Sequence, residues 1–233
     1  MAVTLLTDRL IFNQYMGDPM KKQIKSRQRV ADHGEVYTAE REVKAMCDLV
    51  SDECNRIDSR FLEPACGDGN FLAEILCRKL AVVKKKYKKS VIDYEKNSLL
   101  AVSSIYGVDI LADNVDACRE RLFKIWRKEY KSIVKTAYSE DTERSVRFIL
   151  SKNIVCGNAL TLMCVDENGI DTDAPIIFSE WAFIMGANMQ RQDFTFSELL
   201  NRDNEQTLLD DKADEGTLIS RYVCNYRRLW ENG

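Results

Sequence analysis

The chain has 233 residues, a length for one domain or for one domain with an appendage. Hydrophobic residues make up 45%, enough for a sizeable core, while a formal charge of −3 excludes a uniformly basic nucleic-acid binder, so that contact with DNA or RNA has to use a local patch or a partner. No apolar run has membrane-spanning length and no signal peptide is read in MAVTLLTDRLIF; eight cysteines without a C-x-x-C pair and a single histidine, His33, argue for free thiols in a reducing cytoplasm and against a metal site.

Residues 1–30 read as a helical and basic arm, in which KKQIKSRQR is either a solvated surface or a phosphate contact. Thr38 is placed to cap a helix with Glu40 and Glu42 in its first turn and Val43, Met46, Cys47 and Val50 at helical spacing. Phe61 and Leu62 lead a short buried strand that ends near Pro64, and Gly67 and Gly69 make a tight turn. Leu72, Ile75, Leu76, Leu80 and Val83 mark an amphipathic helix closed by KKKYKK, whose lysines complement the helix dipole.

A second strand spans Ser104 to Ile110, with a helix behind it through Val115, Cys118, Leu122 and Ile125. A polar stretch covers 138–146. Asn153–Cys156 reads as a third strand and Pro175–Phe178 as a fourth. At most one short strand, around Asp193 to Phe196, is expected after that. The last stretch reads as helical, with Ile219, Tyr222, Val223, Tyr226 and Trp230 on one face. Strands alternating with helices predict an α/β chain with a mainly parallel sheet and helices on both faces, and ligands in such sheets sit at the carboxyl ends of the strands.

The segment Glu63-Pro64-Ala65-Cys66-Gly67-Asp68-Gly69-Asn70-Phe71-Leu72 falls at such an end. It resembles the first motif of S-adenosylmethionine-dependent, adenine-specific DNA methyltransferases, commonly D/E-P-A-C-G-S-G-x-F-L. Three further segments are similar in the same order. Gly34-Glu35-Val36-Tyr37-Thr38 matches a segment at the methionine end of the cofactor, with Ala39 in place of proline. Tyr106-Gly107-Val108-Asp109-Ile110 ends a strand in a carboxylate suited to ribose hydroxyls. Ile154 to Leu160 places Asn158 and Ala159 where the family carries an Asp that accepts from the adenine amine; an Asn accepts there with less charge assistance.

The resemblance, covering Gly34 to Leu160, implies a Rossmann-like methyltransferase fold of four to five strands, incomplete beside the family's seven. It implies S-adenosylmethionine as cofactor, held by Tyr37, Thr38, Glu63, Pro64, Ala65, Gly67, Gly69, Asp109, Ile110, Asn158 and Ala159. It also implies methyl transfer to an exocyclic amine of nucleic acid, DNA before RNA, by the chain alone or with a partner subunit. One departure stands against this. The family's [N/D/S]-P-P-[Y/F/W] motif is absent, since the three prolines Pro19, Pro64 and Pro175 are never adjacent. Ser179, Trp181 and Phe183 stand at its place as candidate catalytic residues, with Trp181 and Phe183 equally readable as core aromatics. The domain reading is an arm at 1–30, a cofactor-binding domain at 31–185 and a mostly helical segment at 186–233. An open apolar strand edge further suggests a homo-oligomer.

Overall fold

The computed structural model describes residues 4–5, 38–205 and 218–232. Four short strands lie side by side and parallel in chain order: β1 (Thr4–Leu5), β2 (Phe61–Glu63), β3 (Ile105–Asp109) and β4 (Ile154–Cys156). Helices α1 (Glu40–Leu49) and α2 (Ser51–Cys54) precede β2. Helices α3 (Asn70–Tyr87) and α4 (Val91–Ser103) join β2 to β3, and α5 (Ala112–Val134) and α6 (Glu140–Asn153) join β3 to β4.

The strand order does not reverse, and right-handed crossovers in such a series put every connecting helix on one face. The packing agrees. Phe61, Ile105 and Ile154 share a core with Leu72, Leu99, Leu122 and Ile149 of the helices. Leu62, Tyr106 and Val108, on the opposite face, pack with Ile176, Phe178 and Phe196.

This corrects the expectation of a Rossmann-like, mainly parallel sheet with helices on both faces. The other strands form two separate antiparallel sheets. One is a hairpin of β5 (Met163–Val165) and β6 (Asp171–Pro175). The other holds β7 (Ile177–Phe183), β8 (Asn188–Thr195) and β9 (Ser220–Asn225), with β8 in the middle. The run Pro175–Phe178 is therefore not a fourth parallel strand. Pro175 ends β6, and Ile176 is tied by its N–H to the Leu162 carbonyl and by its carbonyl to the Phe196 N–H, at 2.9 and 2.8 Å. The apolar run thus crosses over the second face of the parallel sheet and leaves as an antiparallel strand.

The C-terminal helix expected from Ile219 to Trp230 is also corrected. Ser220–Asn225 pairs with β8, and the chain tightens into 3₁₀ turns from Tyr226. A spacing that suits a helix is overridden by an available strand partner, since β-propensity reflects context more than backbone preference. Ile219, Tyr222 and Val223 stay exposed, while Tyr226 and Leu229 are buried. The strand expected near Asp193 is the end of the longer β8, and α7 (Phe196–Glu205) follows it.

Besides the single turn of α2, two longer helices were not anticipated. In α4, Glu95, Ser98 and Ser103 are buried among its apolar residues, which blurs the helical period. The polar stretch at 138–146 is the start of α6, where the Ser139 hydroxyl accepts from the Thr142 N–H ahead of Glu140, Asp141 and Glu143. At α1 the cap is Ala39, and no side chain, Thr38 included, caps that helix.

The C-terminal segment is fastened to the helical layer through Glu95, whose side chain is fully buried. Its carboxylate accepts from the Tyr130 and Tyr226 hydroxyls at 2.6 Å each and from the Arg227 guanidinium at 2.6 and 3.0 Å.

Candidate functional site

Three loops meet at the carboxyl ends of β2, β3 and β4. The first, Pro64 to Gly69, turns sharply because Gly67 and Gly69 both adopt positive φ, at 53° and 87°. Gly69 has a second reason to lack a side chain: a Cβ there would stand 2.7 Å from Cys118 Sγ on α5. The Cys66 N–H donates to the Val108 carbonyl and the Gly69 N–H to the Cys66 carbonyl, at 2.9 and 2.8 Å, and α3 starts directly afterwards. Gly107 lets this turn press on β3, since a Cβ there would meet Leu72 at 3.0 Å and Cys66 at 3.1 Å.

Asp109, 8% exposed, holds the second loop to the first. Its Oδ2 accepts from the Gly67 N–H at 2.8 Å; its Oδ1 accepts from the Leu111 N–H at 2.9 Å and from Asn114 Nδ2 at 3.2 Å. The residue is thus both a candidate ligand for ribose hydroxyls and the clamp of the glycine turn. The third loop is fastened to it, as the Gly157 N–H donates to the Asp109 carbonyl at 3.0 Å.

Glu63 ends β2 beneath the turn. Burial pushes its carboxyl up to about 8, against an opposing hydrogen bond from the Ala65 amide. Its Oε2 has no hydrogen-bond partner among the described residues. A buried oxygen of this kind is costly unless a donor completes it. Cys66 is not a reactive thiol here, because a hydrogen bond with Cys118 and burial both push it up.

Thr38 reaches the site through its carbonyl, which accepts from Asn70 Nδ2 at 3.4 Å. Tyr37 lies outside the described residues. Pro64 is half-buried and Ala65 exposed on the turn. Asn158 follows β4, with Oδ1 accepting from the Leu160 N–H at 3.0 Å and Nδ2 donating to Asp171 at 2.9 Å. Ala159 packs against the second, smaller core. The β5–β6 hairpin folds back onto this end of the sheet, where a Cβ added at Gly169 would stand at ordinary contact distance, 3.7 Å, from Ile110 Cγ1.

Ser179, Trp181 and Phe183 lie on alternate positions of β7 and have other partners. Ser179 Oγ donates to Asp193 at 2.6 Å and Trp181 Nε1 to Asn153 at 3.2 Å. The Phe183 ring meets Tyr226 edge-on at 5.9 Å. Their strand touches β3 at Tyr106, whose hydroxyl donates to the Ser179 carbonyl at 3.1 Å, upstream of Asp109. None of these partners belongs to the carboxyl-end loops.

Other residues of the site were not singled out from the sequence. Arg121 of α5 pairs with Asp68 at 3.0 Å and donates to Asn70 at 2.7 Å, bracing the glycine turn from outside. Asn114 acts on Asp109 five residues before it and Asp171 on Asn158 thirteen residues before it, with no local motif marking either pairing, whereas Asn168-Gly169 is a turn signal for the hairpin. No family model, no curated protein and no solved structure matches the chain.

Proposed function

We propose that the carboxyl-end loops of β2, β3 and β4 bind S-adenosylmethionine, and that the chain acts as, or descends from, a methyltransferase for exocyclic amines in nucleic acid, DNA before RNA. One observation carries this reading: the segment Glu63 to Gly69, the carboxylate Asp109 and the amide Asn158 occupy three adjacent loops joined by direct hydrogen bonds. The reading needs those three loops only, and no reversal of strand order.

The residues present fit the group. Glu63 holds a buried oxygen in want of a donor, which the cofactor's ammonium would supply. Asp109 accepts three internal hydrogen bonds, which leaves about one of a carboxylate's four or so positions for a single ribose hydroxyl. Thr38 and the glycine turn would border the methionine end, with Ile110, Asn158 and Ala159 at the adenine end. When bound, the group supplies an electrophilic methyl on sulfonium; the chain's part is to orient it and to exclude water.

A second reading is a cofactor-binding or regulatory protein that transfers no methyl group. The Ser179 hydroxyl is spent on Asp193 and the Trp181 indole on Asn153, so both candidate catalytic side chains already serve the antiparallel sheet. No described helix is long and apolar enough to cross a membrane. A cytoplasmic location, a partner subunit that reads the target and a homo-oligomer belong to the same proposal.

Titration calorimetry with S-adenosylhomocysteine tests the cofactor, and tritiated methyl transfer to DNA, RNA and a metabolite extract tests the reaction. Absence of binding overturns the whole reading. Binding without transfer to any acceptor selects the second one.

A further inference from the structure

Two helices of the layer that covers the parallel sheet end in runs of positive charge. Residues 84–89 close α3 and run past it, and residues 124–135 close α5. Together the runs hold ten basic residues and one acidic one, Glu129, in a chain whose net charge is −3. They lie side by side, since Lys84 Nζ stands 3.0 Å from Glu129 Oε2 across the two helices. Arg127 pairs with Glu143 and Lys124 with Glu120. The seven other basic residues are exposed lysines: Lys85, Lys86, Lys88 and Lys89 in the first run, and Lys128, Lys131 and Lys135 in the second.

Lysines in the last turn of a helix complement its dipole, but that effect is confined to one turn. Lys88 and Lys89 lie past α3, and Lys128 lies more than a turn before the end of α5. Like charges gathered this closely repel one another, and a polyanion relieves the repulsion. Lys128, Lys131 and Lys135 follow one another at three- and four-residue spacing. They span about 10 Å of helix axis, over which duplex nucleic acid presents about six phosphate charges. Among the described residues in or next to these runs, the one exposed large apolar side chain is Ile92, which gives an anionic membrane little to take up. From this segregation of charge, and resting on the nucleic-acid half of the reading above, we infer that the ends of α3 and α5 form a docking surface for the phosphate backbone of duplex nucleic acid. The surface stands away from the glycine turn, because α3 begins there and Lys85 lies about 22 Å further along its axis. It holds the duplex outside the candidate site and adds affinity without choice of base.

The test is fluorescence anisotropy of the full chain with a labelled DNA duplex, titrated between about 50 and 200 mM salt. Two triple variants remove charge from one run each: Lys85→Gln, Lys88→Gln and Lys89→Gln in the first, and Lys128→Gln, Lys131→Gln and Lys135→Gln in the second. Each should bind about tenfold or more weakly at the lower salt. Each should also flatten the slope of log affinity against log salt by about two to three, since one phosphate contact contributes about 0.9. A third triple, Lys152→Gln, Arg221→Gln and Arg228→Gln, removes the same charge outside the runs and should stay near wild type. Unchanged affinity and slope in both lysine-run variants overturn the inference and leave the nucleic-acid reading intact. An equal loss in the third variant overturns it too, since binding would then follow net charge alone. Tighter binding to phosphatidylserine vesicles than to the duplex at the same salt overturns the choice of partner. A wild-type chain that binds no duplex at the lower salt overturns both the surface and the nucleic-acid reading.

Discussion

The Asp109 carboxylate accepts the Gly67 amide hydrogen at 2.8 Å, so the end of one parallel strand holds the glycine turn that follows its neighbour. Two more donors, the Leu111 N–H and Asn114 Nδ2, converge on the same side chain. Asp109→Ala should therefore lower the stability of the free protein by about 1–3 kcal/mol, the cost of leaving buried donors without an acceptor. Urea denaturation without ligand measures this. Asp109→Asn, with one acceptor oxygen left, should cost less than the alanine variant; unchanged stability in the alanine variant would mean that the clamp contributes nothing.

Glu63 links proton uptake to folding and to binding. Its folded value of about 8 lies above its usual 4.5, so the folded state holds a proton that the unfolded chain releases. The stability this group contributes is complete below pH 4.5 and is lost as pH rises through about 8. A cationic ligand at Glu63 works the other way, since it favours the ionised form. Cofactor affinity is expected to rise from pH 6 to pH 8, by at most about tenfold per unit for one linked proton. Calorimetry in buffers of different ionisation enthalpy should show proton release at pH 7, absent in Glu63→Gln. A flat affinity profile would remove the ammonium from this position.

Gly69 combines a positive φ of 87° with a closed space against Cys118. Gly69→Ala should destabilise the chain by about 1–3 kcal/mol through strained backbone and crowding. Adding Cys118→Ala should recover the crowding part alone, leaving the residual cost of the left-handed turn. Thermal melts of the single and double variants separate the two. Complete recovery in the double variant would show that the backbone angle costs nothing.

Glu95, itself buried, gathers the Tyr130 and Tyr226 hydroxyls and the partly exposed Arg227 guanidinium into one network. Glu95→Leu should cost about 3–5 kcal/mol, because it leaves partners of a buried charge unsatisfied. Hydrogen exchange of β9 and the following 3₁₀ turns should quicken first, since this segment relies on that anchor. Uniform protection across the chain would refute that order.

The amino-acid sequence alone determined the local elements that one stretch of residues can specify. The glycine turn after Phe61–Glu63 and the helix through Leu72 to Val83 were legible because their signals lie within a single turn or period. So was the carboxylate at the end of Ile105–Asp109. Where the period was blurred by buried polar residues, as in α4 around Glu95 and Ser98, the helix was missed. Only the tertiary structure decided which strands share a sheet. The apolar run Pro175–Phe178 and the mixed run Ser220–Asn225 suit several arrangements, and the choice fell to the partners they meet: the Tyr106 face for Phe178, and β8 for the C-terminal strand. The same holds for the site. Asp109 as a clamp and the Asp171–Asn158 pair are contacts between separate segments, and such a hydrogen bond leaves no periodic trace in the sequence; the unsatisfied oxygen of Glu63 likewise depends on what the fold packs around it.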